Sequence, residues 1–165
     1  MASIYKHLGD LEQAKEYQQR ALKIELDKLG PEHVNVATSY NNLASIYKHL
    51  GDLEQAKEYQ QRALKIELDK LGPEHVNVAT SYNNLALIYQ NLGDLERAKE
   101  YQQRALRITL DKLGPEHVNV AASYNNLALI YQDLGDLEQA KEYQQRALRI
   151  TLDKLGPEHV DVGTQ

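Results

Sequence analysis

Apolar residues recur along this chain with the period of a helix. Val36, Tyr40, Leu43, Ala44, Tyr47 and Leu50 fall at i, i+4, i+7, i+8, i+11 and i+14, which gathers them on one face of a 3.6-residue helix. The pattern stops at Gly51, a residue that can adopt φ > 0 past a helix end. Asp52 follows as an N-cap, with Gln55 three residues on in capping-box position. A second helix then carries Leu53, Ala56, Tyr59, Ala63, Leu64, Ile66, Leu68 and Leu71. These form two stripes, about as many as a helix needs to touch a neighbour on each side. Gly72-Pro73 ends that helix and opens the next. The spacing predicts a helix A over Val34–Leu50 and a helix B over Asp52–Leu71.

The whole pattern returns every 42 residues. Ala2–Ala44 is identical to Ala44–Ala86, and Leu113–Lys154 differs from Leu71–Lys112 at three positions. A fixed period of this length means stacked supersecondary units, each burying an apolar face that it cannot bury alone. The expected organisation is a single repeat domain over 1–165. It holds a partial unit at 1–28, whole units at 29–70, 71–112 and 113–154, and a partial unit at 155–165. In chain order, Met1–Leu8 reads as the second half of a helix A and Asp10–Leu29 as a full helix B, with a turn at Gly9-Asp10. Hairpins follow at Val34–Leu50 with Asp52–Leu71, Val76–Leu92 with Asp94–Leu113, and Val118–Leu134 with Asp136–Leu155.

The residues Leu43, Ala44, Tyr47, Gly51-Asp52, Ala56, Tyr59, Ala63 and Leu64, repeated in phase, resemble the tetratricopeptide repeat. That resemblance implies an all-α fold, a right-handed α-solenoid of stacked antiparallel helix hairpins. Two features depart from it. The usual unit is about 34 residues, and it has a proline near the end of B where this chain has Leu68. Helix B should therefore run on for about two more turns. The pattern LGPEHVNVA…NNLA…YQ…G…A…Y…RAL is similar to the long repeats of kinesin light chains, which implies a peptide-binding solenoid.

Composition removes several alternatives. A formal net charge of −5 argues against nucleic acid, whose binding needs a basic face. There are no cysteines, hence no disulfide framework and no thiolate metal site, and cytoplasm is the default compartment. No apolar run approaches the ~18 residues of a membrane span. All eleven aromatic residues are tyrosine, and each recurs at its repeat position. They are expected to pack in the core with the hydroxyl reaching a partner or water.

Catalysis is not expected. His33, His75, His117 and His159 sit at one repeat position near the start of helix A, each in a different unit. None has the HExxH spacing that sets two imidazoles on one helical turn, so they read as turn or cap residues. There is no GxSxG, P-loop or phosphate-binding glycine loop. The chain reads as a non-enzyme with no metal site and no cofactor.

The Asn pairs at 41–42, 83–84 and 125–126 carry the functional expectation. By the resemblance, the first member of each lines a concave groove, where an amide can donate to and accept from an extended main chain. The second is expected to hold the neighbouring helix. The repeats differ at seven positions, and four lie on one face of helix A: Thr38/Thr80/Ala122, Ser45/Leu87/Leu129, Lys48/Gln90/Gln132 and His49/Asn91/Asp133. The other three, at Gln55, Lys65 and Glu67 and their counterparts, are on helix B. A face that varies while the core stays fixed is the one expected to meet a partner. The expected peptide-binding residues are Asn41, Ser45, Lys48, Asn83, Leu87, Gln90, Asn91, Asn125, Leu129 and Gln132, and the expected partner is a protein or peptide. The alternative is a structural module that stacks head to tail with copies of itself, joining Ile4, Tyr5 and Leu8 of one molecule to Val160 and Val162 of the next.

Overall fold

The structure, a computed structural model, describes residues 2–155, with side chains from residue 8 to residue 154. Seven helices make up this stretch: α1 Ala2–Leu29, α2 Val34–Leu50, α3 Leu53–Leu71, α4 Val76–Leu92, α5 Leu95–Leu113, α6 Val118–Leu134 and α7 Leu137–Leu155. Helices α2, α4 and α6 are the A helices; α3, α5 and α7 are the B helices. Each packs most closely on its hairpin partner, α2 on α3, α4 on α5 and α6 on α7, while α1 leans on α2, α3 on α4 and α5 on α6. The result is a helical repeat solenoid, as the periodicity predicts.

Local chemistry places each boundary. His33 Nδ1 accepts from Asn35 N–H at 3.0 Å, and His75 and His117 cap α4 and α6 in the same way. These histidines are thereby N-caps, satisfying one orphan donor each. Gly51 closes α2 at φ 88°. Its N–H donates to Lys48 O at 3.1 Å, and the Asp52 N–H donates to Tyr47 O at 2.9 Å, the paired bonds of a Schellman end. Asp52, Asp94 and Asp136 then cap the B helices through the backbone N–H three residues on.

The core alternates small and large residues where helices cross. Val36, Leu43, Ala56 and Ala63 are wholly inaccessible, as are Val78, Leu85 and Ala98 one repeat later. Between hairpin partners stand three rings, Tyr82–Tyr101–Tyr89, with centroids 5.7 and 5.6 Å apart. The set recurs as Tyr40–Tyr59–Tyr47 and Tyr124–Tyr143–Tyr131. The hydroxyls of Tyr47, Tyr89 and Tyr131 accept from Gln19 of α1, Gln61 of α3 and Gln103 of α5, each at 3.1 Å. One ring thus packs within its hairpin and ties it to the last.

The first element differs from expectation. Gly9-Asp10 makes no turn, and α1 runs unbroken from Ala2 to Leu29. Gly9 is absent from the positive-φ glycines, whereas Gly51, Gly93 and Gly135, in the same sequence setting, all sit near 87°. The turn at Gly51 forgoes helical hydrogen bonds, and α2 recovers them by packing along the whole of α3. Continuing the helix through Gly9 costs about 1 kcal/mol relative to alanine and keeps the helical hydrogen bonds that a turn there would give up.

Candidate interaction face

In each A helix the first Asn, the 45/87/129 position and the 48/90/132 position fall at i, i+4 and i+7, so they share a face. Two side-chain hydrogen bonds join α4 to α6. Gln90 Nε2 donates to Asp133 Oδ2 at 3.2 Å, and Asn126 Nδ2 donates to Asn83 Oδ1 at 3.0 Å. These bonds bring the α4 and α6 members of the set alongside one another.

Ser45, Asn91, Asn125, Leu129 and Gln132 are exposed, while Lys48, Leu87 and Gln90 are half-buried. Leu129 stands out, since 49% of a large apolar side chain faces solvent. Asn41 and Asn83 are half-buried and already engaged. Asn41 donates to Glu67 Oε2 at 3.3 Å and accepts from Gln60 Nε2, so its amide faces inward. Of the second asparagines, Asn42 donates to Gln18 on α1 at 3.4 Å and Asn126 to Asn83 on α4. Among the self-association residues, Leu8 is exposed; the side chains of Ile4, Tyr5, Val160 and Val162 lie outside the described residues.

Sequence reasoning missed the polar cluster behind this face. Gln60, Glu67 and Ser81 are all buried. Gln60 Nε2 reaches Asn41 Oδ1 and Ser81 Oγ (3.2 Å), and Ser81 Oγ donates to Glu67 Oε1. Burial pushes the Glu67 carboxyl above its ordinary range, against the hydrogen bonds from Ser81 and Asn41, which lower it. The signal was present. Ala56, Gln60, Ala63 and Glu67 stand at i, i+4, i+7 and i+11, so two polar residues sit inside an apolar stripe. A residue of that kind must find partners within the fold.

The outer surfaces are plainer. Glu58–Arg62, Glu100–Arg104 and Glu142–Arg146 pair at 2.6, 2.6 and 2.8 Å on solvated B faces, each contributing a few tenths of a kcal/mol. Among the described residues, no group of three or more His, Asp or Glu side chains is placed to hold a metal. No described helix is long and apolar enough to cross a membrane.

The tetratricopeptide repeat family model matches residues 1–69, 40–111 and 77–153. The chain belongs to the tetratricopeptide repeat family. Among solved structures it is similar to BtubC (BKLC) from P. vanneervenii, at 33% identity and a TM-score of 0.83 over 94% of this chain. It spans 62% of that protein. It is also similar to the kinesin light chain-like, nearly identical TPR-like repeats of Podosopora anserina, at 28% identity and a TM-score of 0.81 over 96% of this chain and 75% of that one. Nothing among curated proteins matches it. Tetratricopeptide repeats generally mediate protein–protein interaction, and the fold is generally non-catalytic.

Proposed function

We propose that this tetratricopeptide array is a non-enzymatic scaffold that binds an extended segment of a partner protein along the concave face of α2, α4 and α6. The observation that carries the reading is Leu129, half-exposed beside the exposed Asn125 and Gln132. Apolar anchors alternating with amides suit an extended peptide, whose side chains seek pockets while its main chain seeks hydrogen bonds. Lys48 is the one cation among the ten expected positions, so the set suits an internal segment better than a free C-terminal carboxylate. Asn41 is a poor probe, because its loss would strip Gln60 and Glu67 of a partner. The informative variant is Leu87→Asp with Leu129→Asp. On a peptide array it should lose at least tenfold in binding while keeping its helical circular dichroism. Binding that survives the double substitution places the site elsewhere.

A second reading, self-association, has its own support. Asp10–Leu29 is identical to Asp52–Leu71, so α1 presents the surface that α3 buries on α2. On α1 that surface is open: Tyr17 is 67% exposed and Ile24 59%, where Ile66 is buried. Glu158, His159, Val160 and Val162 repeat Glu32, His33, Val34 and Val36, so the complement we infer is the opening A-type segment at the other end of a second copy. Sedimentation over a wide concentration range should then show mass growth that Ile24→Glu suppresses, and a constant monomer mass would end this reading.

A further inference from the structure

One of the seven variable positions lies inside the fold. Glu25, Glu67, Thr109 and Thr151 occupy it in turn. Between α2, α3 and α4, the Glu67 carboxylate fills the space beneath Asn41 and Ser81 and accepts from both. Between α1 and α2, Glu25 accepts from Ser39, which Gln18 also reaches at 3.2 Å. Between α4, α5 and α6 the same surroundings recur as Asn83, Gln102 and Ser123, but the carboxylate is missing. Thr109 is too short to replace it and donates its hydroxyl back to Ala105 O at 2.7 Å.

The consequences are visible at two places. Asn83 Oδ1 is taken by Asn126. Gln102, 0% exposed, is left with neither amide atom partnered. Its counterpart Gln60 makes two bonds. A buried amide without partners is rare and asks for an explanation. Beside it a cleft of about 200 Å³ opens, lined by Thr80, Asn83, Thr109, Ala122 and Ser123 among others. Gln102, Ala105 and Thr109 stand at i, i+3 and i+7 on α5, so the orphaned amide shares the face of α5 that forms the cleft wall. A second substitution widens the mouth, since Ala122 replaces the threonine found at positions 38 and 80. Water in the liquid takes about 30 Å³ per molecule, so the space suits one side chain and not a helix.

We propose that this cleft is a subsite for a carboxyl group on a short aliphatic stem, a glutamate or aspartate side chain of the bound segment, seated where Glu67 sits one repeat earlier. Ser123 Oγ and Asn83 Nδ2 are the donors equivalent to those that Glu67 uses. Gln102 supplies the amide that Gln60 contributes to the same cluster. Val76 and Leu113, which also line the cleft, receive the stem. The array thus holds two interfaces closed by their own carboxylate and one that takes a carboxylate from outside. The inference rests on the groove reading only for the source of the group; the cleft and the orphaned amide belong to this chain.

The test uses the full chain and three small probes: propionate, N-acetyl-glutamate methylamide and N-acetyl-glutamine methylamide. Side-chain amide resonances of Gln102 and Asn83, assigned through Gln102→Ala and Asn83→Ala, report binding without any partner protein, so failure of the groove reading leaves this readout intact. Saturable shifts are expected with the glutamate probe, at least tenfold weaker with the glutamine probe. Thr109→Glu, which restores the residue native to this position at 25 and 67, should abolish them; Thr109→Gln fills the same space without charge and should do so too. Glu67→Thr should create a second set of shifts at Gln60. Equal binding of the two amino-acid probes, or shifts unchanged in both Thr109 variants, overturns the proposal. Propionate binding as tightly as the glutamate probe overturns the assignment to a peptide side chain in favour of a free small carboxylate.

Discussion

Leu85→Ala is expected to destabilise the protein by about 3 kcal/mol, within the ~2–5 kcal/mol seen for buried leucines. Leu85 is wholly inaccessible and belongs to the largest core cluster, with Val78, Ala98, Ala105 and Ile108. That cluster also draws Leu64 from α3 and Ile130 from α6, so a cavity at Leu85 weakens the hairpin and both of its neighbours. In an array held by nearest-neighbour interfaces, damage in the middle reduces cooperativity more than damage at an end. Urea unfolding should therefore show a lower midpoint and a broader transition. Leu106 packs on the next cluster but is only half-buried, and its replacement should cost less. A loss below about 0.5 kcal/mol at Leu85 would contradict its place in the core.

Most of the fold was legible because the repeat states it several times. The bounds of α2, α4 and α6 match their apolar period, and the B helices begin one residue past their Asp caps. These boundaries are set by local chemistry, glycine at φ near 87° and a capping side chain, which a sequence displays directly. What was not legible depended on neighbours. Gly9-Asp10 reads like Gly51-Asp52, yet α1 runs through the first while α2 ends at the second and packs back on α3. Asn41 reads like Asn125, yet Asn41 meets Glu67, and the repeat containing Asn125 has Thr151 at the corresponding place. Near-identical repeats make such differences easy to overlook, because their cause lies in the adjacent unit and not in the residue itself.

The same dependence makes one tyrosine costly to remove and its twin cheap. Tyr101→Ala should lose about 3 kcal/mol, the low end for deleting a buried aromatic side chain. Its ring lies between Tyr82 and Tyr89, with the Arg104 guanidinium 5.5 Å from its centroid. Each aromatic pair is worth roughly 0.5–1.5 kcal/mol beyond the area it buries, and the cation adds about 0.5–1 kcal/mol at an exposed site. Burial also holds the Tyr101 hydroxyl above its ordinary range, as expected of a phenol withdrawn from water. Tyr17 occupies the same repeat position within the identical segment KEYQQRAL. It keeps its arginine, with Arg20 at 5.8 Å, but among the described side chains no ring stacks on it, and 67% of it is exposed. Tyr17→Ala should therefore change stability by no more than about 0.5 kcal/mol. The comparison is made by chemical denaturation at low micromolar protein. If the Tyr17 variant loses as much as the Tyr101 variant, the open face of α1 is covered in solution. Repeating the measurement tenfold more dilute then shows whether a second copy does the covering, because a cost that shrinks on dilution comes from another molecule.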